Sequence, residues 1–110
     1  MDDLELLAMA AKAAGYEIEW VRNSGCYYRC EKDASREQWD ALDDDGDAFR
    51  LAIKLDIHIK RYEGATTCQE LLSRKSFTEH DHWSANENDP LKSTRRAIVC
   101  AAADIGRRIP

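Results

Sequence analysis

Apolar residues return along this chain in two rhythms. Between residues 3 and 14, Leu4, Leu7, Ala8 and Ala11 recur every three or four positions while Glu5 and Lys12 stay on the other side, which predicts an amphipathic helix. Asp2 or Asp3 offers an acceptor to the open amides at its start, and Gly15 suits the residue that ends it. The period then falls to two. Tyr16, Ile18 and Trp20 alternate with Glu17, Glu19 and Val21, and Cys26, Tyr28 and Cys30 with Tyr27 and Arg29. Asn23-Ser24-Gly25 tolerates positive φ, so the two runs predict a β-hairpin.

Residues 31–38 are polar and predict a loop, with Trp39 and Leu42 as apolar anchors. A second helix opens on Asp43-Asp44-Asp45-Gly46-Asp47, whose short acids cap unpaired amides and suit the positive end of the helix dipole. Phe49, Ala52 and Ile53 predict its buried stripe, widened by Leu51 and Leu55. Ile57 and Ile59 alternate with His58 and Lys60, which predicts a strand before a turn at Glu63-Gly64. Residues 66–77 fit two readings, a strand through Thr66, Thr67, Leu71, Leu72 and Phe77 or a helical turn around Gln69 and Glu70. Residues 78–89 predict an exposed polar loop.

Asp89-Pro90 starts a third helix with a capping acid and a first residue whose φ is already set. Ala97, Ile98, Ala101, Ala102 and Ile105 predict its buried stripe, Gly106 its end, and Arg107 and Arg108 complement the negative pole. The alanines allow close approach between helices or onto a sheet. No strand–helix–strand alternation is visible. The expected fold is therefore α+β, one compact domain over residues 1–110, with an antiparallel sheet of three to four strands packed by about three helices.

Composition narrows this little further. At 110 residues, 44% hydrophobic and 34% charged, the chain has room for one core and a heavily charged surface. Its apolar runs are far short of the roughly 20 residues of a membrane span. Met1-Asp2-Asp3 lacks the basic region of a secretory signal, so the expected location is cytoplasmic, with no membrane partner. In that setting Cys26, Cys30, Cys68 and Cys100 are expected as free thiols. The net charge of −5 does not favour generic phosphate binding, although Lys92, Arg95, Arg96, Arg107 and Arg108 bias the last segment.

Two stretches carry a resemblance. WDALDDDGDAFRLAIKL (Trp39 to Leu55) and DPLKSTRRAIVCAAADIG (Asp89 to Gly106) resemble the pattern of short phage- and prophage-encoded proteins of unknown function. In those proteins a Trp, an acid-rich cap and a helix precede a strand and a closing helix. The likeness covers about the C-terminal two thirds of the chain, and it is reminiscent of small phage domains described as α-β-α sandwiches. It implies a phage origin, a bacterial host cell and an α+β fold. It brings no reaction, cofactor or catalytic residue, and Cys26 and Cys30 lie outside the pattern.

Four constellations invite chemistry. Asp40, Asp43, Asp44, Asp45 and Asp47 could suggest calcium, but a loop with Gly46 at its sixth position would begin at Ala41 and end at Ala52, and neither can be a ligand. Cys26, Cys30, His80 and His82 could suggest zinc, yet on a strand the two thiols stand about 13 Å apart. A cysteine nucleophile would need His58, His80 or His82 beside it. Lys92, Arg95 and Arg96 share a helix side that could meet nucleic acid, bracketed by Asp89 and Asp104. Trp83 in its polar surroundings is a candidate exposed anchor. We expect no catalytic, cofactor-binding or metal-ligating residue and no cofactor. The reading is a small acidic accessory protein that binds another protein, a host or defence factor among the options. The alternative is a nucleic-acid-binding regulator using the last helix. Pairing into a homodimer is compatible with the protein-binding reading.

Overall fold

The computed structural model describes residues 2–30, 36–84 and 87–110, and among these three helices and eight strands form an α+β fold. The chain runs α1 (Asp3–Ala14), β1 (Glu17–Val21), β2 (Cys26–Cys30), β3 (Arg36–Trp39) and α2 (Asp45–Lys54). It continues β4 (His58–Tyr62), β5 (Ala65–Gln69), β6 (Ser76–His80), β7 (His82–Ser84), β8 (Glu87–Asn88) and α3 (Pro90–Arg107). The strands divide into two antiparallel three-stranded sheets, β1-β2-β3 and β4-β5-β6, with β7 and β8 as a separate ribbon. The strands are thus more numerous than the sequence predicts, and shared between sheets.

Helix ends form as their residues dictate. The Asp2 carboxylate accepts from Glu5 N–H at 2.9 Å to open α1. Gly15 closes it at φ 73°, where Tyr16 N–H returns to Ala11 C=O at 2.9 Å. Helix α2 ends on the same pattern, with Ile57 N–H reaching Ala52 C=O at 3.0 Å, but there Asp56 takes the left-handed position at φ 53°. Asp89 caps α3 through Lys92 N–H at 3.0 Å, ahead of Pro90.

The core lies where α1 and α3 meet. Ala10, Ala11 and Ala14 of α1 and Ala97, Ala101 and Ala102 of α3 are all buried, and small side chains let the two helices come close. Leu6, Leu7, Ile98 and Val99 fill around them, while Leu4 of the expected α1 stripe is largely exposed. Helix α3 also covers β5 and β6, burying Thr66 and Cys68. Trp39, buried at the end of β3, meets Tyr16 edge-on with centroids 5.9 Å apart.

Several expectations need correcting. Residues 36–39 are a strand because they continue the ladder from β2, Tyr27 facing Trp39; residues 31–35 of that expected loop lie outside the described residues. Residues 66–77 form β5, a turn and the start of β6. Most of the predicted loop at 78–89 is strand too, because Phe77 and Glu79 alternate with exposed neighbours opposite β5. Gly106 lies within α3, which runs on to Arg107. Ile105 is only half-buried. Phe49 and Ile53 do not face the core: α2 buries only Ala48, Leu51 and Ala52, because α3 packs against that one side.

Candidate docking groove

Two polar clusters fix the elements that frame the main apolar surface feature. In the first, Arg61 grips Asp81 with both guanidinium nitrogens, at 2.7 and 2.8 Å, and donates to Thr66 Oγ1 at 2.7 Å. Ser93 Oγ donates to Asp81 at 2.5 Å, and Thr66 Oγ1 shares a hydrogen bond with Thr94 Oγ1 at 2.7 Å. Asp81, Thr66 and Ser93 are all buried, so the cluster locks β4 and β5 to the start of α3. The hydrogen bonds from Arg61 and Ser93 hold the Asp81 carboxyl at about 2, below its ordinary 3.8.

In the second, Arg95 of α3 donates to Leu42 C=O at 2.8 Å and to the Asp45 carboxylate at 2.7 Å. It thereby ties the start of α2 to α3. Between the two clusters opens a groove of about 450 Å³, walled by Phe49 of α2, Ile59 of β4 and Leu91 of α3, with Ile98 also lining it and Asp45 at its mouth. Phe49, Ile59 and Leu91 are 61%, 41% and 60% exposed, and Ile53, one turn beyond Phe49 on α2, is 63% exposed.

The acids ahead of α2 hold geometry. The Asp44 carboxylate accepts from Asp47 N–H at 2.8 Å, Asp47 from Asp40 N–H at 3.0 Å, and Asp40 from Leu42 N–H at 3.0 Å. Burial lifts the Asp40 carboxyl above its usual range, against the pull of the Leu42 hydrogen bond. Among the described residues no three His, Cys, Asp or Glu side chains are placed to share a metal ion. Cys26 and Cys30 are free thiols at the two ends of β2, whereas exposed His80 ends β6 in the other sheet.

The other candidates are similarly separated. Burial pushes the Cys68 thiol up to about 12, and burial with Glu79 nearby pushes Cys100 up to about 11. His58 lines a more polar hollow of about 610 Å³ on the outer side of β4-β5-β6, with Lys60, Tyr62, Thr67 and Gln69, and no thiol or carboxylate lines it. On α3, Lys92 pairs with Glu87 at 2.9 Å, Arg95 with Asp45 at 2.7 Å and Arg96 with Asp3 at 2.9 Å. Trp83 is half-buried, with Lys92 Nζ 4.4 Å from its ring centroid, so it stands as a platform for the start of α3.

The sequence conceals the groove because Phe49 and Ile53 keep perfect helical spacing. The signal available was the surplus: α2 carries more apolar positions than one packed side can cover. No helix among the described residues is long and apolar enough to cross a membrane. In comparisons with protein-family models, curated proteins and solved structures, nothing matches the chain.

Proposed function

We propose that this chain is a small accessory protein of phage or prophage origin that acts by binding another protein, and that the groove walled by Phe49, Ile59 and Leu91 receives that protein. The observation that carries the reading is the grouping of three large, exposed apolar side chains, Phe49, Ile59 and Leu91, around one concavity. Scattered exposed hydrophobics are ordinary, whereas a contiguous patch around a groove marks a contact surface. Packing them costs little reordering, because ion pairs already fix all three walls. With Asp45 already paired to Arg95 in its lining, the groove favours a mainly apolar segment, and a host or defence factor is the partner class such an accessory protein would meet.

Affinity capture from bacterial lysate, comparing the natural chain with a Phe49→Asp, Leu91→Asp double variant, tests this. The natural chain is expected to retain a stoichiometric protein that the double variant loses at an unchanged melting temperature. Recovery of the same protein by both, or by neither, contradicts the reading.

A further inference from the structure

The end of α3 meets the turn between β5 and β6 through charged groups. Glu70, at the foot of the turn, is buried and receives the Arg108 guanidinium on Oε1. The same guanidinium approaches Asp104 Oδ2 at 3.3 Å, so it stands between two carboxyls. Lys75, from the other end of the turn, approaches that Asp104 oxygen at 3.6 Å, and Arg107 lies 3.8 Å from Asp104 Oδ1. The turn adds the Ser73 hydroxyl beside Glu70. Of the neighbouring elements, α1 brings Lys12, which donates to Ile109 C=O at 2.7 Å, and β4 brings His58, opposite Gln69 on the outer side of the sheet. Backbone pairs close the turn itself: Glu70 N–H donates to Lys75 C=O at 3.0 Å and Arg74 N–H to Glu70 C=O at 3.1 Å.

One oxygen on each acid is left over. Among the described residues, Glu70 Oε2 and Asp104 Oδ2 are buried and accept no hydrogen bond, although the two carboxyls lie within hydrogen-bonding reach of each other. Two ionised carboxylates cannot satisfy one another, because both only accept. A single proton can join them: on Glu70 it makes a donor to Asp104, and both leftover oxygens gain a partner at once. The surroundings decide which acid carries it. Asp104 faces Lys75, Arg107 and Arg108, and these cations favour its charged form. Glu70 is the more deeply buried, at 2% exposure against 8%, and has Arg108 alone as a cation. Burial, and after it the bond to Asp104, raise the Glu70 carboxyl above its ordinary 4.5.

We propose that Glu70 and Asp104 hold one proton between them, and that this proton latches the β5–β6 turn to the end of α3. Its loss leaves two buried carboxylates facing each other, whose repulsion loosens the turn and the last turn of the helix together. An acid that holds its proton more tightly in the closed form favours that form at low pH. The latch is therefore fully effective below about 4.5, and opening grows by up to about tenfold per pH unit above it until the closed-state midpoint is passed, then levels off. The docking groove uses α3 from Leu91 to Ile98, so the latch stands apart from it.

Carbon-13 NMR of the side-chain carboxyls, followed against pH in the whole chain, tests this. Glu70 is expected to titrate above 4.5, and Asp104→Asn to lower its midpoint, because the asparagine amide donates to Glu70 without needing a proton. Hydrogen exchange at the Glu70, Arg74 and Arg108 amides, corrected for base catalysis, reads the opening. It is expected to rise with pH in the natural chain and to stay level in Glu70→Gln, whose amide donates to Asp104 at every pH. A Glu70 midpoint at or below 4.5, one that Asp104→Asn leaves unmoved, or an opening in Glu70→Gln that follows pH as the natural chain's does overturns the proposal. The carboxyl titration and the exchange of the natural chain require no variant, so a natural chain whose opening ignores pH overturns it even where a variant folds poorly.

Discussion

Gly106 of α3 and Met9 of α1 touch backbone to backbone: a Cβ on Gly106 would lie 1.9 Å from the Met9 carbonyl oxygen. The contact lies on the alanine-lined seam between the two helices, and it explains a glycine inside a helix where alanine has the better intrinsic propensity. Gly106→Ala is expected to cost about 3 kcal/mol or more, because backbone must move to admit the methyl. Urea unfolding measures it. Gly46→Ala is the milder comparison, expected to cost less, since its new Cβ would meet only side-chain ends, the Arg50 guanidinium at 3.1 Å and the capping Asp44 carboxylate at 3.2 Å.

Asp56 takes the position in α2 that Gly15 takes in α1. An L side chain held in the left-handed region carries a steric penalty that glycine does not. Asp56→Gly is therefore expected to raise stability by about 0.5 to 1 kcal/mol, the residual gain after glycine's greater unfolded-state entropy. An unchanged or lowered urea midpoint would count against the strain reading.

Asp81 sets an acid-side dependence. Its carboxyl titrates at about 2 when folded against an ordinary 3.8, so its ionised form is favoured by folding. The stabilisation is complete above about pH 4 and is lost as pH falls toward 2. Burial moves Glu70 the other way, helped by its hydrogen bond to Asp104, and a raised carboxyl gains stability on protonation. The informative quantity is thus the difference between the natural chain and Asp81→Asn. That difference is expected to be largest near neutrality and to shrink between pH 4 and pH 2 in chemical-denaturation series.

Cys68 is the one fully buried thiol, and Cys100, half-buried beside Glu79, shares its upward shift. Cys68 and Cys100, pushed up to about 12 and about 11, hold almost no thiolate at pH 8, and Cys68 is fully buried. Cys26 and Cys30 lie half-exposed on β2. An aromatic disulfide reagent is expected to modify the second pair well before the first, with all four reacting in denaturant. Rapid native modification of Cys68 would show that α3 does not cover β5 as described.

What the sequence made legible was local. The caps at Asp2 and Asp89, the Gly15 stop and the hairpin through Asn23 to Gly25 all follow from neighbours a few residues apart, and they stand in the structure. Strand β6 was hidden because Thr78, Glu79 and His80 are polar; only their pairing with Thr67, Thr66 and Ala65 reveals alternation. Gly106 read as a stop because nothing in its surroundings announces Met9, 97 residues earlier. The groove failed for a related reason. Helical spacing says which residues share a side of α2, but only the position of α3 decides which side is covered.

The account turns on Phe49 and Leu91 meeting another protein across the groove. A photo-crosslinking phenylalanine analogue placed singly at 49, 91, 60 and 78, in protein expressed in bacterial cells, tests this directly. Adducts are expected from positions 49 and 91, and none from 60 and 78 on the polar outer side of β4-β5-β6. Adducts from 60 and 78 alone, or from no position, would contradict it.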